Sequence, residues 1–197
     1  MMKKHYAFLF VLLLCISCKQ NKESSNTEET KTPETEATAD NPELIDIYKN
    51  DQNDRKTDDI DWYVVSKNDS LRRVRVHQLL DSNKVKTSKD YARAAMVFQH
   101  GGDSTAYGMA VKLMEKSIAL DSTADKWLLA AATDRYLRSK GLPQIYGTQY
   151  FKMNGEPWTM GEIDTTKVTD EERIEFGVET LAQQRETLRK MNEEEGF

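Results

Sequence analysis

Residues 19 to 41 form a stretch without a single Val, Ile, Leu, Met or aromatic residue. Such a segment buries too little apolar surface to offset the entropy lost on ordering, so the sequence predicts a disordered, acidic and polar tether. Flexible-chain statistics give this tether a span of roughly 25 to 30 Å. It separates a leading segment, residues 1–17, from a single domain, residues 42–197, that is long enough to bury a hydrophobic core.

The leading segment has the pattern of an export signal. Two lysines at positions 3 and 4 precede an apolar run from Tyr6 to Cys15, which is shorter than the roughly 20 residues that a membrane-spanning helix requires. Residues 16–18, Ile-Ser-Cys, then resemble the lipobox of bacterial lipoproteins, although Cys15 stands where that pattern usually has leucine. A plain signal peptide cut nearby is the alternative.

The lipobox resemblance implies that residues 1–17 are removed and that Cys18 is acylated, with palmitate among its lipids, at the start of residues 18–41. We therefore expect a membrane-anchored lipoprotein of the bacterial cell envelope, at the outer membrane rather than the inner one. Because Cys15 is lost with the signal and Cys18 carries the lipid, no thiol and no disulfide is expected in the mature protein.

Charge and motif content argue against several classes of protein. Loss of the two signal lysines takes the formal charge from −5 to −7, which argues against nucleic acid as a partner because such binding needs clustered Lys and Arg. No G-x-S-x-G elbow, Walker loop or zinc-ligand spacing occurs, and the mature chain has only His77 and His100. We therefore expect neither a metal site nor a cofactor.

Apolar periodicity from Pro42 onward predicts a mostly α fold, a single compact domain of about six helices with one small β-hairpin near residues 148–160. Pro42 opens the first helix. Residues 58–66 fit a helix or a strand, and we favour a helix. The next segment, from a cap at Asp69 or Ser70 to about residue 83, has a face formed by Leu71, Val74, Gln78 and Leu79.

Three clearer helices follow. They are predicted to begin at Ser88, at Ser104 and at residue 122 or 123, because a hydroxyl side chain before a periodic apolar run is typical of a helix start. Glycines 101 and 102 end the first of them, and Gly141 ends the third. The small residues along these helices favour close packing of their backbones.

The segment after Pro143 changes period. Asn154-Gly155 favours a two-residue hairpin turn of type I′, which needs positive φ at both central residues, and Pro157 places the second strand at a sheet edge. Residues 144–149 are then the loop that leads into the hairpin. A last helix is predicted from a capping box at residues 169–172 to about residue 192, with Ile174 and Val178 in its apolar stripe.

Five segments of this domain together resemble a family of bacterial proteins of unknown function, whose signature is DQ..R, QH, DR and PQ.YGTQ. They are DQNDR at 51–55, AAMVFQHG at 94–101, LAAATDR at 129–135, GLPQIYGTQ at 141–149 and VTDEERIEFGVETL at 168–181. Residues 83–88 depart from the Gly-Trp-Pro turn that many relatives carry before the QH helix. The resemblance implies a shared helical fold with a small hairpin and a shared polar site, and it implies no activity.

The polar residues of these segments form a candidate binding site, made of Gln52, Arg55, Gln99, His100, Arg135, Gln144, Tyr146 and Gln149. Arginines offer donors to an anionic or carbonyl group, and amides suit a polar ligand. A set rich in amides and poor in nucleophiles favours binding over catalysis. The hypothesis is therefore a binding module for a small polar or anionic ligand.

Two other functions stay open. One is a hydrolase-type enzyme with His100 as general acid or base, oriented by Asp134, with Arg135 stabilising developing negative charge. The other is a satisfied internal network, with function in a surface that binds another envelope protein. Simpler interpretations also stay open, namely an Asp134–Arg138 surface pair, a helix-capping His100 and a surface pair between residues 51 and 55.

Overall fold

The computed structural model describes residues 38–56 and 58–197, and seven α-helices dominate this part of the chain. They are α1 Pro42–Asn53, α2 Trp62–Asp81, α3 Ser88–Gln99, α4 Ser104–Leu120, α5 Trp127–Ser139, α6 Asp170–Glu175 and α7 Leu181–Glu194. The predicted mostly α fold is thus confirmed. The predicted signal peptide, Cys18 and the tether as far as residue 37 lie outside the described residues.

Side-chain caps begin the first, third and fourth helices. Asn41 accepts the backbone N–H of Leu44 at 3.1 Å, and Pro42 occupies the first helical position, where an N–H would lack a partner in any case. Thr87 caps α3 and Asp103 caps α4, each one residue ahead of the predicted serine. The physical signal is the same in both cases, because either side chain offers an oxygen to the exposed backbone donors.

The start predicted for α5 at residue 122 or 123 is wrong, since that helix begins only at Trp127 and has no side-chain cap. Thr123 is engaged elsewhere, because its backbone N–H and its hydroxyl both donate to the Asp121 carboxylate, at 2.9 and 2.6 Å. A side chain that hydrogen-bonds a nearby backbone group stabilises a turn at the expense of helix.

Helix α2 is one continuous helix, where the sequence predicted two segments. Asp61 caps it by accepting backbone N–H groups of the first turn, so Asp69 lies inside the helix. Val76 and Leu79 are buried with Asp69, whereas Leu71 and Val74 are 61% and 57% exposed. The predicted apolar face was therefore wrong for those two residues, because the helix turns a carboxylate inward to meet arginines.

Helix α3 lies at the centre of the fold and packs on α1, α2, α4 and α5. Ala94 and Ala95 are fully buried, and their small side chains let neighbouring helices approach closely. The buried side chains around them include Leu44, Val76, Leu79, Val97, Phe98, Leu113 and Met114. This core fixes the C-terminal end of α3, where Gln99 and His100 stand.

The predicted β-hairpin near residues 148–160 is wrong. Phe151 and Thr159 exchange one pair of backbone hydrogen bonds, at 2.9 and 2.8 Å, and this isolated bridge does not extend into strands. The turn at Asn154-Gly155 does form, but only Gly155 has a positive φ, of +79°. Positive φ at the second central residue alone belongs to a type II turn and not to the type I′ turn of tight hairpins.

Competition for backbone groups explains the missing strands. The next hydrogen-bonded pair on one side of the bridge would be Met153 and Pro157, but Pro157 has no N–H to donate and the Met153 carbonyl accepts the Glu156 N–H at 3.0 Å. On the other side, the Gln144 side chain binds both the N–H and the carbonyl of Gln149, at 2.9 and 3.1 Å. The ladder therefore stops after one pair of residues.

The C-terminal region holds two helices where the sequence predicted one. The capping box of Thr169 and Glu172 is confirmed, but α6 ends at Glu175. Gly177 then adopts a φ of +68°, which continues no helix. A second capping box, from Thr180, starts α7, and this break leaves Ile174 exposed and Val178 buried.

Candidate functional site

Asp51 and His100 form a carboxylate–imidazole pair between α1 and the end of α3. Asp51 is fully buried, and its two carboxylate oxygens lie 3.0 and 2.9 Å from His100 Nδ1. A buried carboxylate is costly unless it is hydrogen-bonded, which makes this contact a strong constraint on the ring. The imidazole thus binds α1, in addition to ending α3.

Two further side chains bind the same carboxylate. Gln52 donates to it at 2.8 Å, and Arg55 donates at 3.3 Å. Arg55 also pairs with Asp69 of α2. Two carboxylates therefore neutralise Arg55, and Gln52 is held beside them, so neither side chain is free for a ligand.

Asp134, the predicted partner of His100, binds the loop of residues 144–149 instead. It is fully buried. Its Oδ1 accepts the N–H groups of Ile145 and Tyr146 at 2.8 and 3.0 Å, and its Oδ2 accepts the N–H and hydroxyl of Thr148, both at 2.8 Å. Four donors satisfy this carboxylate, which is neither the orienter of His100 nor half of a surface pair with Arg138.

Gln144 and Gln149 close the same loop on itself. The fully buried Gln144 side chain accepts the N–H of Gln149 at 2.9 Å and donates to the carbonyl of Gln149 at 3.1 Å. It also donates to the carbonyl of Met160. All its donors and acceptors are engaged inside the protein, so Gln144 shapes the loop and does not face a ligand.

Two residues outside the predicted set hold the other side of this loop. Arg173 of α6 is buried and donates to the carbonyls of Ile145 and Tyr146, at 2.9 and 3.2 Å. Gln184 of α7 donates to the same Tyr146 carbonyl at 2.8 Å. The Tyr146 ring stacks on Phe176, with centroids 5.1 Å apart. Arginines and amides on the last two helices thus complete the polar network.

Arg135 stands between the two groups of polar residues. Its Nε donates to Gln149 Oε1 at 2.8 Å, and its Nη1 donates to the backbone carbonyl of Gln99 at 2.8 Å. It makes no ion pair with a carboxylate in the described part of the chain. The pKa of Arg135 is lowered, first by burial and then by the positive charges of Arg138 and Arg55.

Arg138 lies one turn further along α5 and, like Arg135, has a lowered pKa and, in the described part of the chain, no carboxylate in an ion pair. Its guanidinium lies 3.8 Å from the ring centroid of Phe151, and among residues 38–56 and 58–197 it forms no ion pair. Burial is also the main cause of its lowered pKa. Tyr107 lies near enough to act on the pKa of both arginines. Two partly buried cations therefore share one face of α5, and neither forms an ion pair with a described carboxylate, although the nearby charge of Asp134 acts to raise the pKa of Arg138.

The predicted site residues thus fall into two groups. One surrounds Asp51 and contains Gln52, Arg55 and His100. The other contains Gln144, Tyr146 and Gln149 around Asp134. Arg135 and the carbonyl of Gln99 connect them. The sequence did not single out Asp51, Asp69, Thr148, Arg173 or Gln184 as site residues, although three of these lie inside the family-like segments.

No group of three or more His, Cys, Asp or Glu side chains in residues 38–56 and 58–197 is arranged to hold a metal ion. None of the seven helices is both long enough and apolar enough to cross a membrane.

No protein-family model, no curated protein and no solved structure matches the chain. The lipobox and the resemblance to a bacterial family stay predictions that rest on sequence motifs. The geometry of the polar residues carries the functional argument.

Proposed function

We propose that this is a lipid-anchored protein of the bacterial cell envelope that binds a small anionic ligand at Arg135. One observation carries the proposal: Arg135 is a partly buried guanidinium whose hydrogen bonds go to neutral oxygens. A buried charge without a counter-ion costs stability, and proteins keep such a group where a ligand supplies the opposite charge.

Four other arginines show the contrast, whereas Arg73 also donates only to neutral oxygens, the His100 carbonyl and the Ser70 hydroxyl. Arg55, Arg72, Arg93 and Arg173 each form an ion pair with at least one aspartate. The sequence supplies acidic residues in excess, with 33 against 28 basic residues. The lack of an acidic partner at Arg135 is therefore a local arrangement and not a shortage of carboxylates.

The chemistry of the ligand follows from the donors. Nε and Nη1 of Arg135 already bind protein oxygens, and no described residue accepts a hydrogen bond from Nη2. A guanidinium binds carboxylate and phosphate oxygens with directed N–H donors. Arg138 adds positive charge one turn away, and we infer a ligand that carries a carboxylate or a phosphate.

Calorimetric titration with inorganic phosphate and with acetate tests this function. We expect saturable binding to the wild-type protein and at least roughly tenfold weaker binding to Arg135→Lys, because the planar donors are lost while the charge stays. Arg75→Lys is the matched control, since Arg75 is exposed and pairs with Glu43, and it should bind as the wild type does. Equal binding by Arg135→Lys, or no binding of either anion by the wild type, contradicts the proposal.

A hydrolase-type enzyme using His100 is the second candidate, and the His100–Asp51 contact favours it. A carboxylate on Nδ1 leaves Nε2 to exchange a proton, which is the arrangement of a general base. Asp51 takes the orienting role first assigned to Asp134. The hydrolase-type function ranks second because no hydrogen bond in the described part of the chain joins His100 to a hydroxyl that the imidazole would activate.

A further inference from the structure

A groove between α1, α3 and α5 lies apart from the Arg135 site and has a volume of about 360 Å³. Helix α3 contributes Ala92 and Met96, four residues apart on one face, and α4 contributes Met114. Tyr48 and Trp127 add two aromatic rings, and Trp127 is 44% exposed. Flexible methionines beside an exposed aromatic ring are typical of a surface that accepts an apolar ligand.

The charged side chains of this groove leave one lysine without an ion pair. Arg93 pairs with Asp40 at 2.8 Å, so its charge is compensated. Lys89 lies one turn earlier in α3. Its charge lowers the pKa of Asp40 and Asp121, yet its ammonium forms an ion pair with no carboxylate of the described residues. The groove therefore combines a mainly apolar lining with one lysine that forms no ion pair.

The acidic residue of the lining is committed to its own helix. Asp125 accepts the backbone N–H of Trp127 at 2.9 Å, at the start of α5, where an exposed backbone donor needs a partner. It is thereby held at the helix start, although its carboxylate forms no ion pair in the described part of the chain, and Lys89 is the cation of the lining that can meet an anionic head group.

We propose that this groove binds a small amphiphile with one anionic head group and an unbranched apolar body, of the size of a medium-chain fatty acid. The head group binds Lys89, and the body lies against Met96 and Trp127, above the buried Met114. The volume lies within the range of about 300 to 1,000 Å³ that is usual for small-molecule sites. Each additional methylene of the body should tighten binding by roughly fourfold until the groove is filled.

Titration of the full-length chain with decanoate, followed by tryptophan fluorescence, tests this site. Decanoate should change the emission, and Trp127→Phe should remove that change while Trp158→Phe keeps it. Lys89→Gln should weaken decanoate binding by about two- to fivefold, the range for one partly exposed ion pair. It should leave binding of the uncharged decanol unchanged. Lys112→Gln, which removes an exposed lysine of α4, is the matched control and should change neither.

A second variant tests the groove itself. Ala92→Trp should fill it and weaken both probes by more than roughly tenfold. Circular dichroism shows whether the variant folds, and Met96→Gln replaces it if it does not. A folded variant that binds as the wild type does overturns the proposal. So does decanol binding as tightly as decanoate, which would indicate a wholly apolar occupant such as a partner helix. Arg135→Lys should bind decanoate normally, so the two proposed sites fail independently.

Discussion

Asp51 and Asp134 are both fully buried, and each gathers donors in a different way. Asp134 takes four hydrogen bonds from one loop, so its neighbours are consumed in holding that loop. Asp51 takes donors from His100, Gln52 and Arg55. Arg135 belongs to neither carboxylate. The hydrogen bonds of these two buried carboxylates thus engage several of the neighbouring polar side chains. Arg135 forms a hydrogen bond with neither carboxylate.

Tyr150, directly after the loop of residues 144–149, makes the stability of the folded protein depend on pH. Burial raises the pKa of Tyr150 to about 12, and the charge of Glu179 adds to the effect. Its hydroxyl donates to the Gln184 carbonyl at 3.4 Å. The folded state favours the neutral phenol, and the stabilisation that results is fully present below pH 10, the ordinary pKa of tyrosine. It is lost as pH rises from about 10 to 12.

Spectrophotometric titration of the phenols checks this prediction. The sequence has eight tyrosines, of which Tyr6 lies in the predicted signal peptide, and we expect Tyr150 to ionise near pH 12. Tyr150→Phe should remove that last step and make the alkaline unfolding less steep. The prediction is wrong if the last step survives in Tyr150→Phe.

The sequence identified most residues of the polar network but not their partners. Asp134 or Arg135 was expected to be buried because α5 is apolar nearly all round, and the structure buries Asp134 fully and Arg135 only partly. Hydrogen-bond partners depend on which helices face each other, and that arrangement follows from packing far along the chain. His100 therefore pairs with Asp51, 49 residues away, and not with the nearer candidate in the family-like segments.

At the scale of elements too, the sequence predicted helices and loops correctly only where local patterns determine them. Helices α3 and α4 were predictable because their caps and apolar periods agree. Helix α2 was not, since its inward face carries Asp69 to meet Arg55, and a carboxylate hides the apolar period. The hairpin failed for a related reason. Its turn residues are present, but Pro157 lacks the N–H for the next ladder pair and the Gln144 side chain binds the backbone of Gln149, and such competition from side chains is absent from local strand patterns.

The loop of residues 144–149 depends on Gly147. This glycine has a φ of +83°, and a Cβ there would lie 2.3 Å from Gln184 Oε1. Gly155 is a matched control, because it has a φ of +79° and nothing within 4 Å. Gly155→Ala therefore isolates backbone strain, for which we expect a loss of about 1 to 2 kcal/mol.

Gly147→Ala adds a steric clash to the same strain. We expect it to cost roughly 1 to 3 kcal/mol more than Gly155→Ala, the range for overpacking a closed interior. Urea unfolding of both variants measures the difference. Equal losses would mean that Gln184 moves aside freely and that the loop is less tightly held than its hydrogen bonds indicate.

At the scale of the whole molecule, both proposed sites place a positive charge on an acidic chain. The mature chain is expected to have a formal charge of −7, whereas Arg135 with Arg138 and, separately, Lys89 lack ion pairs in the described part. Local compensation of charge, and not the net charge, sets what a cleft binds. Anionic ligands are thus compatible with an acidic protein.

Membrane attachment is the prediction that concerns the whole chain. If Cys18 carries the lipid, Cys18→Ala should move the protein from the membrane fraction to the soluble fraction, because no helix of the described part is apolar enough to hold it there. Cys15→Ala, a cysteine three residues away, serves as the control and should leave fractionation unchanged. Membrane retention of Cys18→Ala would contradict the anchor.

The most direct test of an anion site at Arg135 is to place a carboxylate beside its guanidinium by mutation. Gln149→Glu keeps the oxygen that accepts from Arg135 Nε and adds a carboxylate charge at the same place. Gln149→Met is the control, because it removes the amide without adding charge. Melting temperatures of these variants and the wild type, with and without phosphate, form the measurement.

We expect phosphate to raise the melting temperature of the wild type. Gln149→Glu should melt higher than Gln149→Met without phosphate, since both lose the bonds that the Gln149 amide donates to Thr148 and Ala131 and only Glu compensates the charge. Gln149→Glu should also no longer respond to phosphate. Gln149→Met should melt lower and still respond. A wild type that ignores phosphate, or a Gln149→Glu protein that responds as strongly as the wild type, would contradict the account.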